Sequence, residues 1–300
     1  MKKLILFSVI LFLIFGCSDK FKPKNEIRTE CKQGIEPVRK VLFIGWDGVR
    51  TDALLASKTA CLDSMLNSSY YNLQTDRGTY TVSVPGWSSI LHGVWPEKHG
   101  LTENSFENSN YSKYADIFSL ARQIKPNLSF STLSHWDDFL RITEHENFAQ
   151  RYETDHLLKE AIKHNLWNCP PDVMLTHFDT PDAIGHDSGF SPSNSMYLKG
   201  IELMDVYLNE IMGIIEWREQ TYNEEWMVVI TTDHGGEGNG HGNQYDLIQT
   251  RFVWSIIRLP NLNQKIELSN VRSVDLMPTM LKWINIPVNP IWDLDGQVLF

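Results

Sequence analysis

Short, uninterrupted apolar runs, Val41-Leu42-Phe43-Ile44, Val173-Met174-Leu175 and Met227-Val228-Val229-Ile230, punctuate this chain and constrain its fold more than any other feature. A strand with one wet face alternates polar and apolar residues, whereas a strand covered on both faces reads as a continuous apolar run. These runs therefore predict strands sandwiched between layers, and Leu128–Leu133 and Phe252–Ile257 add two more. Between them lie helical patterns: one from Thr51 or Asp52 to about Asn67, others over Tyr114–Ile124 and His156–Trp167. A long one, Ser193–Glu219, carries an apolar stripe through Leu198, Ile201, Leu208 and Ile215. Strands alternating with helices predict an α/β fold, a three-layer α/β/α sandwich around a mostly parallel central sheet. Residues 40–300 contain no internal repeat and no biased linker, so a single domain is expected there.

Ahead of that domain, Lys2 and Lys3 precede a twelve-residue apolar run, Leu4–Phe15, broken only by Ser8. The run is shorter than the roughly 20 residues of a spanning helix and has the length of a signal-peptide core. Ile14-Phe15-Gly16-Cys17 resembles a bacterial lipobox. Residues 1–16 thus read as a lipoprotein signal peptide, Cys17 as the lipidated first residue of the mature chain, and 17–39 as a charged tether. The expectation is an exported bacterial lipoprotein attached to membrane through Cys17, at the periplasmic face or on the outer membrane or cell surface. Cys31, Cys61 and Cys169 remain, an odd number whose pairing the sequence leaves open.

Charge narrows the partners. With 27 Lys+Arg against 37 Asp+Glu the formal charge is -10, a field that repels duplex nucleic acid. A mean hydropathy of -0.27 is too polar for a multi-span membrane protein.

Polar clusters come immediately after the apolar runs. Asp47-Gly48 comes after the first, Asp179 to His186 after the second, and Asp233-His234-Gly235 through His241-Gly242 after the third. Open α/β sheets bind ligands beyond the carboxyl ends of their strands. One Asp there commonly builds a turn, but three clusters that also carry imidazole predict a metal site. Carboxylate and imidazole together suit zinc and, less selectively, other divalent ions. Asp182 and His186 stand four apart and meet on one face if that stretch is helical. For a nucleophile, Thr79 to Gly93 is rich in hydroxyls, and Pro85 suits the first turn of a helix. Ser83 would lie near that helix's amino terminus, a natural anion site, or merely cap it; Thr81, Ser83 and Ser88 all stay open. Trp87 and Trp95 can stack on a base or fill the core, and His92 reads as a core residue.

These residues resemble the alkaline phosphatase superfamily, in particular its nucleotide pyrophosphatase/phosphodiesterase branch. The likeness runs through Asp47-Gly48, the segment Ser83-Val84-Pro85 leading to Gly93-Val94-Trp95-Pro96-Glu97-Lys98-His99-Gly100, then Pro181 to His186, Asp233-His234-Gly235, Val274 to Thr279 and Asp295-Gly296. It implies an alkaline-phosphatase-like catalytic domain over 40–300, with Ser83 as nucleophile and Asn104 as stabiliser of the oxyanion. It further implies two zinc ions, one on Asp182, His186 and His241, the other on Asp47, Asp233, His234 and Ser83. The implied substrate is a small phosphate ester, most simply a diester or nucleotide pyrophosphate. Departures bear on specificity: Ser83 stands where the branch usually has Thr, Gly86 where it has Asn, and His241 lies only seven residues after His234. Phosphomonoesterase, phosphonate hydrolase and phospho-headgroup transferase activities belong to the same superfamily. Sulfatase is disfavoured by Trp87 at the position where maturation of that nucleophile looks for Arg, and a non-catalytic lipoprotein would have no need of these ligands.

Overall fold

The structure, a computed structural model, describes residues 36–300 apart from His145. The signal peptide, Cys17, Cys31 and most of the tether lie outside the described residues. Eight strands run in chain order as β1 (Val38–Trp46), β2 (Ser69–Asp76), β3 (Phe130–Ser134), β4 (Phe148–Arg151), β5 (Val173–Phe178), β6 (Glu224–Thr231), β7 (Phe252–Arg258) and β8 (Ile266–Glu267). They form one sheet in the order β4-β3-β5-β1-β6-β7-β2-β8. The pairs are parallel except for the two that β7 makes, with β6 and with β2. The helices are α1 (Thr51–Ala56), α2 (Ala60–Met65), α3 (Ser83–His92), α4 (Pro96–His99), α5 (Ile117–Ile124), α6 (Asp155–Trp167), α7 (Thr180–Ser188), α8 (Ser195–Tyr222), α9 (Ile248–Arg251) and α10 (Leu276–Trp283).

Side chains alternate across β1 and divide between two cores. Leu42 and Ile44 pack with Leu54, Leu62, Leu158, Ile201 and Leu208 of α1, α2, α6 and α8. Val41 and Phe43 pack with Trp87, Ile90, Phe118 and Met277 of α3, α5 and α10. Both faces of the central strands are therefore covered, which is the three-layer α/β/α sandwich that the apolar runs predict.

Differences from expectation have local causes. The helix expected from Thr51 to Asn67 is two short ones, because at Ser57 the chain turns extended and the Ser57 hydroxyl bonds back to Ala53 O at 2.8 Å. The second piece restarts where Asp205 of α8 accepts the N–H groups of Cys61 and Leu62 at 3.0 and 2.8 Å. Helix α5 begins at Ile117 rather than Tyr114, since Asp116 accepts from Phe118 N and Ser119 N and caps it there. Strand β1 begins at Val38, inside the stretch read as tether, with Val38 and Arg39 opposite Glu224 and Glu225. Cys61 is a free thiol and Cys169 is disulfide-bonded.

The turn from α8 into β6 is locked by a buried ion pair. Arg218 donates to both Glu224 carboxylate oxygens at 2.7 Å and to Leu166 O and Asn168 O at the end of α6. Trp226 Nε1 adds a third donor to Glu224 at 2.8 Å. Glu224→Gln leaves a buried guanidinium without its counter-charge and is expected to cost about 3–5 kcal/mol of stability, measured as a lowered urea midpoint. An unchanged midpoint would show that the pair is effectively solvated.

Candidate active site

Three adjacent strands, β5, β1 and β6, end side by side, and the polar clusters leave from those ends. Asp47 comes directly after β1, its N–H bonded to Phe178 O of β5 at 2.9 Å. Helix α7 starts directly beyond β5 and carries Asp182 in its first turn with His186 one turn on. Asp233 and His234 lie just past β6. Gly48, at φ +67°, is required here: a Cβ would collide with the Asp182 carboxylate packed over it.

Three imidazoles converge in one orientation. Nδ1 of His234 faces Gly235 O at 2.9 Å, Nδ1 of His186 faces Asn239 O at 2.9 Å, and Nδ1 of His241 faces Thr81 O at 2.6 Å. A carbonyl only accepts, so each Nδ1 carries a proton and each Nε2 is the ring atom turned into the site. Beside Asp182 the His186 imidazole is raised to about 9, so its Nε2 offers a lone pair only after giving up a second proton. The Nε2 atoms of His186 and His241 are 3.0 Å apart, with Asp182 oxygens 3.3 and 3.7 Å from them. Nε2 of His234 lies 3.3 Å from Asp47 Oδ1 and 3.4 Å from Asp233 Oδ2. The rings of His234 and His241 stack at 3.7 Å and join the two groups.

Four buried carboxylate oxygens in this space, Asp47 Oδ1, Asp182 Oδ1 and both of Asp233, have no hydrogen-bond partner among the described residues. Such oxygens are costly to bury unless they are paired or coordinate metal. The His186 and His241 Nε2 atoms, 3.0 Å apart, also need either a shared proton or a metal cation between them. The donors therefore fit divalent cations. Among the described residues three groups of side chains lie close enough to hold an ion, Asp182, His186, His241, then Asp47, Asp233, His234, and also Asp47, His177, Asp179, and the unpartnered oxygens lie in the first two. Electrostatics agree. Burial, and then the charge of Asp47, push the Asp182 carboxyl up to about 7 and that of Asp233 well above its ordinary value. Burial also opposes ionisation of Asp47, but the His177 hydrogen bond and the nearby imidazoles outweigh it and hold that carboxyl below the usual range.

Of the three open hydroxyls, two are committed elsewhere. Thr81 donates to His241 O at 2.5 Å, and Ser88 donates to Val84 O and touches the Tyr111 hydroxyl at 2.6 Å. Ser83 is the first residue of α3, with Oγ 3.1 Å from His234 Nε2. The helix is capped by Val82 without a side-chain bond, so Ser83 is not its cap. Asn104 accepts the N–H of Val84, next to Ser83, at 2.9 Å. All the sequence-predicted site residues thus gather around one space. Where the branch has Asn, a Cβ on Gly86 would be 2.9 Å from Arg77 Nη2, so a buried guanidinium fills that room and donates through Nε to Asp233 O.

Other contributors escape the sequence reading. The buried Arg50 donates to Phe190 O at 2.8 Å, Gly236 O at 3.1 Å and Glu237 at 2.8 Å, tying together the loops that carry the Asp and His side chains of the site. His177 and Trp87 both reach Asp47 Oδ2, at 2.7 and 3.1 Å. Trp87 is therefore a buried partner of a site carboxylate and offers no stacking face, while Trp95 lays its ring over Gly78. His92 sits in the core with its two nitrogens facing Tyr114 O and Ile142 O.

A mostly parallel sheet in three layers, with an Asp/His donor set and a helix-initiating serine at its strand ends, defines a member of the alkaline phosphatase superfamily. Within it, the chain belongs to the type I phosphodiesterase / nucleotide pyrophosphatase family, whose sequence profile matches residues 41–136 and 122–250. It is similar to bis(5'-adenosyl)-triphosphatase ENPP4 of Bos taurus, 23% identical over 221 residues, 65% of this chain and 47% of the relative. It is also similar to GPI ethanolamine phosphate transferase 2 of Debaryomyces hansenii, 22% identical over 69% of this chain and 26% of the relative. The chain thus spans less than half the length of either relative. Among solved structures, an inactive form of murine ectonucleotide pyrophosphatase / phosphodiesterase 5 in complex with AMP shares the fold, with a TM-score of 0.67 and 15% identity over 85% of this chain and 99% of that one.

Proposed function

We propose that this protein is a zinc-dependent hydrolase of small phosphate esters, a phosphodiesterase or nucleotide pyrophosphatase that works through a phosphorylated Ser83. The observation that carries this reading is Ser83 Oγ at 3.1 Å from His234 Nε2, beside carboxylate oxygens that no donor among the described residues satisfies. Asp182, His186 and His241 would hold one zinc, and Asp47, Asp233, His234 and Ser83 the other. When bound, the two ions supply Lewis-acid stabilisation of phosphoryl charge and a lowered pKa for the serine hydroxyl. Ser83 Oγ attacks phosphorus, the bond to the leaving alcohol or nucleotide breaks, and a phosphoryl ester forms on serine. Water then attacks phosphorus, the bond from phosphorus to Ser83 Oγ breaks, the phosphate product leaves, and a proton from the water restores the hydroxyl. The Asn104 amide, beside Ser83, donates to the charge that develops on a non-bridging oxygen. The side chain of His186 is 47% exposed, which leaves that flank of the site open for substrate entry. The AMP held by the murine relative supports a nucleotide among the ligands. We further propose that Cys17 is lipidated and tethers the domain to a membrane surface after export.

The ethanolamine phosphate transferase relative favours a second reading, transfer of a phospho-headgroup to an alcohol in place of water. Rates of the zinc-loaded chain on an aryl phosphodiester, aryl monophosphate, aryl sulfate and phosphonate ester identify the ester class. The product formed from the diester with an acceptor alcohol added, a new diester or a monoester, separates transfer from hydrolysis. The diester is expected to lead by at least about tenfold, about 1.4 kcal/mol of barrier. EDTA is expected to remove the activity and zinc to restore it better than magnesium or calcium. Restoration by calcium alone, with the sulfate ester fastest, would replace this reading with a sulfatase.

A further inference from the structure

We propose that His177 and Trp87 are positioning residues that hold Asp47 as a one-oxygen ligand, presenting Oδ1 to the ion shared with Asp233 and His234; this rests on the two-metal reading above. Asp47 Oδ2 receives N–H from His177 Nε2 at 2.7 Å and from Trp87 Nε1 at 3.1 Å. Its other oxygen has no hydrogen-bond partner among the described residues and lies 3.3 Å from His234 Nε2. A carboxylate held by two donors on one oxygen cannot rotate that oxygen towards an ion without breaking both bonds, so the ligand atom and its direction are set before any ion arrives. Donors behind a ligand commonly orient it in this way.

The two donors are themselves immobilised. His177 is fully buried in β5, with Nδ1 3.3 Å from Ser134 Oγ of the neighbouring strand β3. Its ring lies against Phe139 at 4.8 Å, Trp87 at 5.4 Å and Trp136 at 5.8 Å between centroids. Trp87 reaches Asp47 only by crossing β1 at Gly45, where a Cβ would be 2.6 Å from the indole. Gly45 and His177 are register partners in the β1–β5 ladder, so the glycine and the histidine define one slot into which the indole fits. The alternative is that Asp47, His177 and Asp179 are themselves a ligand set. The short bond between His177 Nε2 and Asp47 Oδ2 opposes this, because a nitrogen that carries the donated proton has no lone pair there for an ion.

The test is zinc content per chain, read by mass spectrometry after dialysis against graded chelator, for the wild type, His177→Phe, His177→Gln and Trp87→Phe. Phenylalanine keeps the aromatic packing and lacks the N–H, whereas glutamine restores an N–H donor. His177→Phe is expected to release one of two ions at roughly 10–100-fold lower chelator strength, to hold the other as the wild type does, and to be rescued in large part by His177→Gln. Trp87→Phe deletes the second donor and is expected to weaken the same ion, which carries the test if His177→Phe does not fold. Release profiles identical to the wild type overturn the positioning role, as does equal loss in the Phe and Gln variants, which would assign the effect to packing. A wild type with three ions, one of them lost in His177→Phe, also overturns it and makes His177 a ligand. A wild type that binds no zinc defeats the two-metal reading itself.

Discussion

Ser83→Ala is expected to lower turnover by on the order of 10⁴-fold or more, while zinc content and stability stay at wild-type values. Loss of a nucleophile removes the covalent route altogether and leaves only what binding and charge stabilisation supply. The retained metal content is a consequence of the geometry. Asp47, Asp233 and His234 remain around the ion that Ser83 would touch, and Asp182, His186 and His241 form the other group untouched. Stability is kept because Ser83 makes no cap bond for α3; Val82 occupies that position and the N–H of Val84 is accepted by Asn104. The check is a pair of measurements on the same sample, metal analysis with steady-state rate, and acid-quenched single turnover with a labelled ester to look for label on the protein. Full activity in the alanine variant, or label on a different residue, would place the nucleophile elsewhere and remove the reason for assigning Ser83 that role. A variant that loses metal along with activity would instead make the hydroxyl an essential ligand.

Much of the fold and site is legible in the chain because two-sided burial writes a strand plainly. Val41–Ile44 and Met227–Ile230 have no polar side because neither face of β1 or β6 meets water, and the polar residues after each run must leave the sheet at its carboxyl end. The Asp and His side chains that gather there are therefore legible as well. Three strands, β2, β4 and β8, are not. In β2, Ser69–Asp76, polar residues mix with Tyr70, Tyr71 and Leu73, a pattern that reads as loop until β7 pairs antiparallel with it. The exposed β4 and the two-residue β8 carry too little apolar surface to be seen. The break between α1 and α2 depends on Asp205, far along the chain, whose carboxylate supplies the second helix with its cap. The supporting residues of the site are hidden for a related reason. Arg77 donates to a carbonyl of a distant loop, and Arg50 joins the carbonyls of Phe190 and Gly236 to the carboxylates of Asp52 and Glu237, pairings that, Asp52 apart, span the chain and leave no mark in a sequence. His177 sits in an apolar strand, where a single histidine reads as a satisfied core residue; its proximity to Asp179 is the one available signal.

Replacing Asp182 and His186 together by Ala is expected to strip one ion, reduce the rate by on the order of 10³-fold, and leave the metal-free chain folded. The last expectation runs against the usual cost of deleting buried polar groups and has its origin in the charges. Asp182 Oδ1 has no donor among the described residues, and burial with the neighbouring Asp47 raises the carboxyl to about 7. A carboxyl raised in the folded state costs stability wherever the unfolded chain would ionise it, above the ordinary Asp range, and that cost grows until pH passes the folded value. At neutral pH removal of the carboxyl relieves that cost. Removal of His186, which the Asp182 hydrogen bond raises to about 9, forfeits an ion pair that stabilises the metal-free fold up to that pH, so the two changes oppose each other. Zinc changes the balance. An ion that binds only the folded chain stabilises it by about 2.7 kcal/mol at one hundred times its dissociation constant, and the double variant forfeits that gain for one of two ions. The signature is a divergence: the metal-free melting temperature stays close to the wild type's, whereas the zinc-saturated one falls below it. Both are read by thermal unfolding with and without saturating zinc. A metal-free variant that melts well below the wild type would mean that α7 is held in place by Asp182 and His186 themselves, making them structural residues rather than half of a metal centre.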